Sequence, residues 1–129
     1  MQIPIKKSYS TKPPLELCHI KLYSTGLKGK VYTNNFYKSM IHNFGIEMQI
    51  RNNTSQIQNV NIGGCIYDNM DNTIVRWNTR KQIPARSTLS NDFYVSENTF
   101  SQMKIGRYKV QFWVNDKKVQ KEFFTITFK

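Results

Sequence analysis

The residues best suited to chemistry in this chain lie near its end, where Trp113 alternates with Lys109, Gln111 and Asn115 on one face of a predicted strand. The stretch from Gly106 to Val114 has a period of two: Tyr108, Val110, Phe112 and Val114 share the apolar face, and the Trp113 set shares the wetted one. A tryptophan on a wetted face is unusual. An exposed indole can stack on the apolar face of a pyranose ring, and amide side chains offer donors and acceptors to sugar hydroxyls. Gln49, Asn59 and Asn61 occupy the outward positions of two earlier predicted strands. If those strands share a sheet with Trp113, the indole is a stacking platform and Gln49, Asn61 and Gln111 are its hydrogen-bonding groups.

Other chemistries lack the residues they need. The eight carboxylates fall mostly in predicted turns, and no spacing pairs two of them for acid–base work. His19 and His42 are the only histidines, and with Cys18 and Cys65 they lack the close ligand spacing of a zinc site. Asp68 and Asp71 lack the alternating ligands and terminal Glu of a calcium loop, so they read as part of a hairpin turn. There is no glycine-rich phosphate loop and no nucleophile elbow. The expectation is a non-enzyme without metal or cofactor. Cys18 and Cys65 read as two small buried thiols, with a single bridge left open if their strands are neighbours.

The formal charge is +11 over 129 residues, and the first 40 residues hold seven Lys against Glu16 alone. A solvated surface and an anionic partner are the two readings of that excess. Arg107 and Lys109 beside Trp113 would suit a single-stranded nucleic acid. However, Tyr108 and Phe112 point to the core in this register, leaving one platform aromatic where several are usual. A basic protein-interaction, polyanion-binding or nucleic-acid-binding module therefore stands as the alternative to a glycan binder.

The elements that must position these residues are strands. Length fits one domain, and 17 aromatics among 129 residues favour β-structure. Residues 1–14, with Pro4, Pro13 and Pro14, read as an N-terminal arm or linker, and residues 15–129 as a single β-sandwich domain. The first strand runs from Leu15 to Tyr23 with a bulge near Cys18–His19, followed by a turn over Thr25–Lys30 and a short edge strand within Val31–Tyr37 broken at Asn34-Asn35. Ile41–Arg51 is the central strand, with Phe44, Ile46, Met48 and Ile50 inward. Gln56–Asp68 follows, its Gly63-Gly64 pair either bulging or admitting a close neighbour. Asp68–Thr73 is a hairpin turn from which Ile74–Asn78 returns. Short segments surround Ile83 and Phe93–Val95, with Pro84 restricting one to an edge. The last hairpin turns at Asn115–Lys118; Phe124, Ile126 and Phe128 face inward, and Val119 marks another bulge. No segment reads as a helix. Seven or eight such strands predict an all-β, antiparallel, immunoglobulin-like β-sandwich. No apolar run reaches the roughly 20 residues of a membrane span. The first residues lack the apolar segment of a signal peptide, so export by a leader of its own is not expected, although in an excised domain that absence carries no weight.

Four stretches carry a resemblance: Ile46-Glu-Met-Gln-Ile-Arg-Asn-Asn53, Val60-Asn-Ile-Gly-Gly-Cys-Ile-Tyr-Asp68, Asp71-Asn-Thr-Ile-Val-Arg-Trp-Asn-Thr79 and Ile105-Gly-Arg-Tyr-Lys-Val110. Their order resembles the C-terminal carbohydrate-binding domain of ABC transporter ATPases that export polysaccharides such as O-antigens. That family has a strand ending in a polar turn, an Ile-Gly-x-x-Ile-x-Asp strand, a hairpin leading to Asn-Thr and a late Gly-x-Tyr. The resemblance implies a non-catalytic immunoglobulin-like sandwich that recognises the exported glycan and often dimerises. It also implies a parent ATPase chain in a membrane transporter, and a cytoplasmic place at the inner face of the cell membrane. An exposed edge strand would be the natural seam for a homodimer.

Overall fold

Alternation of apolar and polar residues, punctuated by Asn, Asp and Gly, folds the described residues into nine strands and one short helix. The structure, a computed structural model, describes residues 13–26, 29–38 and 43–128. Most of the expected arm, the middle of the Thr25–Lys30 turn, and Ile41 with His42 lie outside the described residues. In chain order the elements are β1 (Leu15–Gly26), β2 (Gly29–Tyr32), β3 (Asn35–Tyr37), β4 (Asn43–Asn52), β5 (Gln58–Tyr67), β6 (Thr73–Ile83), β7 (Thr88–Val95), α1 (Glu97–Gln102), β8 (Gly106–Val114) and β9 (Lys117–Thr127).

One sheet has the order β2-β1-β4-β7 and the other β3-β9-β8-β5-β6. Every neighbouring pair is antiparallel except β3 and β9. The inward residues of both sheets form one core, with Leu22, Ile46 and Ile50 of the first sheet meeting Ile62, Val110, Phe112 and Ile126 of the second. Phe44 anchors one end, its ring centroid 4.4 Å from Phe36 and 5.1 Å from Phe124. Tyr108 stacks on Phe124 and donates its hydroxyl to the Lys104 carbonyl at 2.6 Å. A tyrosine opening its strand and bonding back four residues is the corner that marks immunoglobulin-like sandwiches, and the chain has that fold.

Both predicted bulges are present. The β1–β4 register shifts between Leu17 and His19, and the β8–β9 register shifts where Phe112 pairs with Gln120 and Trp113 with Lys118. Asn115 and Asp116 turn the last hairpin with φ of 51° and 66°, the left-handed pair that matches strand twist.

Other expectations are corrected. The described residues form nine strands, because Val31–Tyr37 divides between the two sheets, and Ile74–Asn78 runs on to Ile83 as one edge strand. Phe128 lies beyond β9 and is exposed. Cys18 is exposed because it is the extra residue of the β1 bulge, Cys65 is buried, and both thiols are free. The unforeseen α1 has six residues and a single buried side chain, Phe100, too little for a 3.6-residue pattern. Its local signal is Ser96, whose hydroxyl accepts from the Thr99 N–H at 3.1 Å. Lys38 closes the other end by donating to the Phe100 and Ser101 carbonyls at 2.9 Å each and to that of Met103.

The two sheets are tied at the end of β4 by Asn52, which is fully buried. Its amide donates to the carbonyls of Gln56, Ile83 and Pro84, and its oxygen accepts from the Thr54 N–H and hydroxyl. Asn52→Asp keeps the acceptor and turns a second oxygen toward three carbonyls. It is expected to lower stability by about 3 kcal/mol or more, read as a fall in the urea midpoint at unchanged slope.

Candidate functional site

The pleat of β8 sends Arg107, Lys109, Gln111 and Trp113 outward, and register fixes their neighbours. Gly63 on β5 lies opposite Trp113, with Asn78 of β6 opposite Gly63 on its other side. Three of the four predicted residues, Trp113, Gln111 and Asn61, therefore share the outer face of the second sheet. Gln49 does not join them. It lies on β4, between His19 of β1 and Ser90 of β7, on the outer face of the first sheet. Period-two patterning assigns a face within a strand but not the sheet to which the strand belongs.

Around Trp113 the surface is recessed, with a volume of about 320 Å³ lined by Gly63, Arg76, Trp77, Asn78, Trp113 and Asp116. The floor is bare backbone, since a Cβ at Gly63 would stand 2.8 Å from the Trp77 carbonyl and 3.2 Å from the Asn78 amide oxygen. The Arg76 guanidinium carbon stands 5.4 Å from the centre of the indole. Asn61 accepts from Arg80 Nε at 3.2 Å. Gln111 donates to the Gln120 carbonyl at 2.9 Å and the Phe112 carbonyl at 3.2 Å, bracing the β9 bulge. Sequence reasoning missed Arg76, Asn78 and Arg80, although their alternation around Trp77 was there to read.

The outer face of the first sheet carries a different cluster, built on Glu47 in the middle of β4. Glu47 is 4% exposed. Its carboxylate receives Lys30 Nζ at 2.5 Å, His19 Nε2 at 2.6 Å and the Tyr32 hydroxyl at 3.0 Å. Lys30 also reaches Asp92 at 3.0 Å, and the Tyr23 hydroxyl donates to Asp92 at 2.8 Å. Tyr23 lies flat across Gly45, where any Cβ would collide with its ring, and Lys30 stands 4.6 Å above that ring. Burial alone would push the Glu47 pKa up. The bonds from Lys30, His19 and Tyr32 outweigh it and hold the group at about 2, against its ordinary 4.5. Lys30 is raised by its bond to Glu47, with Asp92 adding to that and burial opposing. Every charge in this cluster has a partner within it, and the network pins β2 and β7 to the sheet.

A further opening of about 360 Å³ lies between the sheets, lined largely by Leu15, Leu17, Ile50, Val114 and Val119. It is apolar and holds none of the predicted side chains, so the polar recess is the better candidate despite its smaller size. Among the described residues no three His, Cys, Asp or Glu gather as a metal site, and no helix is long and apolar enough to cross a membrane.

No family model matches the chain, and no curated protein matches it by sequence. Solved structures do match in fold. The C-terminal domain of wzt superposes with a TM-score of 0.61 at 9% identity, over 92% of this chain and 76% of that domain. A Bacteroides uniformis β-glucuronidase matches with a TM-score of 0.63 at 8% identity, over 90% of this chain and 14% of its own. The Pseudomonas fluorescens alkylpurine DNA glycosylase AlkC, bound to DNA, matches with a TM-score of 0.57 at 10% identity, over 91% of this chain and 31% of its own. The chain thus spans less than a third of the two enzymes. All three share the sandwich fold of this chain.

The Glu47 network makes stability depend on pH. A carboxyl held below its unfolded value contributes fully above pH 4.5 and loses that contribution as pH falls toward 2. Denaturation series between pH 6 and 2 are expected to show an acid loss of up to about 3 kcal/mol from this group. Glu47→Gln should be less stable at pH 7 and show a shallower acid decline.

Proposed function

We propose that the chain is a non-catalytic carbohydrate-binding sandwich that recognises a polysaccharide on the outer face of its second sheet. The observation that carries this reading is the half-exposed Trp113 beside the Gly63-floored recess. An indole beside bare backbone gives a pyranose ring an apolar wall and room to approach it, and Asn78 supplies hydrogen-bonding groups at the rim. Trp113 is the stacking platform. Asn61 acts by orienting Arg80, and Gln111 by holding the bulge beside the indole. Gln49, on the other sheet, serves a separate polar surface next to His19.

The fold likeness to the C-terminal domain of wzt, an O-antigen ABC transporter ATPase, supports a role in polysaccharide export. In that role the chain binds an exported glycan such as an O-antigen at the cytoplasmic face of the membrane. A parent ATPase chain carries it there, and an edge strand pairs with a second copy. The likeness to AlkC and the basic residues around Trp113 favour a second reading, in which the same face binds nucleic acid or another polyanion.

Affinity electrophoresis through gels containing purified O-polysaccharides tests the first reading. Trp113→Ala is expected to weaken retention about tenfold, the equivalent of roughly 1.4 kcal/mol of lost stacking, with an unchanged thermal midpoint. Equal retention of the variant would remove the stacking role, and an unfolded variant would make Trp113 a core residue.

A further inference from the structure

The fold sorts the charge of the chain between its two outer faces. On the first sheet, the outward Lys21, Lys30 and Arg51 are equalled in number by Glu16, Glu47 and Asp92, and Lys30 is the one of the three cations that is ion-paired among the described residues. On the second, the outward strand positions carry Arg76 and Arg80 on β6, Arg107 and Lys109 on β8, and Lys118 and Lys121 on β9, with no Asp or Glu among them. Lys109 pairs with Asp71 of the neighbouring turn at 2.7 Å, and the other five make no ion pair among the described residues. Asp116 is the one carboxylate in the wall of the recess.

Two of these cations are held in place. Arg76 lies over the indole of Trp113, and Arg80 is fixed by Asn61. They are four residues apart on one strand, roughly 13 Å along it, farther than one pyranose ring is wide. A guanidinium presents a rigid fork of donors that fits carboxylate and phosphate, and its hydration is weak enough to be displaced. We propose that the ligand of this face is an acidic glycan, a polysaccharide bearing carboxylate or phosphate groups. One sugar stacks on Trp113 with its acidic group on Arg76, and a later acidic group reaches Arg80. The inference rests on the carbohydrate reading of this face and adds the charge of the sugar. A nucleic acid fits less well. Single strands stack successive bases on several open rings, whereas Trp113 is the one outward ring that lines the recess.

The test is binding of the full chain to matched pairs: polygalacturonate with its carboxyl-reduced form, and a phosphomannan with its dephosphorylated form. Single-stranded dT oligomer is a fifth probe. At least one acidic member is expected to bind tenfold or more tightly than its neutral partner, and to weaken about tenfold between 50 and 200 mM salt. Arg76→Gln and Arg80→Gln should each weaken it severalfold and flatten the salt dependence without moving the thermal midpoint. Lys21→Gln, which removes the same charge from the other sheet, should change it less than twofold. Equal binding of both members of each pair would overturn the acidic inference and leave the carbohydrate reading standing. An equal effect of Lys21→Gln would overturn the assignment to this face. Binding of dT alone, or of no probe, would overturn both.

Discussion

Two adjacent glycines in the middle of β5 decide what both sides of the second sheet can hold. Gly64 faces inward, and a Cβ there would collide with the Trp77 ring. Its absence lets Trp77 lie across the strand, stack on Phe93 at 4.2 Å and meet Phe112 edge to face, so that edge strands β6 and β7 close over the core. Gly63 faces outward, and the space it leaves is the floor between Trp113 and Asn78. Close packing inside and a recess outside thus have one origin, the loss of two side chains from a strand that pairs on both edges.

The two outer faces resolve the same problem in opposite ways. A charge inside a sheet is costly unless it is paired and hydrogen-bonded. The first sheet meets that demand for its buried carboxylate internally, with Glu47 and Asp92 sharing Lys30 and accepting from the Tyr32 and Tyr23 hydroxyls. The Glu47 cluster is internally paired, and its charges tie the outer strands to the central pair. The second sheet keeps its cations near water, stacked on aromatic rings where the ring quadrupole favours them. Such cations remain available to an anionic ligand.

Much of the fold was legible because β-structure writes itself locally. The inward phase of Phe44, Ile46, Met48 and Ile50 is visible in four alternate letters, and the clash of phase between Leu17 and Ile20 demanded the bulge that Cys18 fills. The last hairpin was legible for the same reason, down to the extra residue at Val119. The helix was not, since six residues with one buried side chain leave no period to detect. The split of Val31–Tyr37 between two sheets was hidden too, because a chain crossing from one layer to the other changes partners without changing composition.

The site divides along the same line. By itself the sequence determined which residues face out of their strands, that Trp113 is an outward aromatic, and that the chain is basic. Those follow from a two-residue repeat and a count of charges. Only the tertiary structure decided that Asn61 and Gln111 sit with Trp113 while Gln49 lies across the sandwich, that Arg76 lies over the indole, and that Glu47 and Asp92 share Lys30 on the first sheet. Strand order is set by pairings between residues tens of positions apart, which no local pattern encodes.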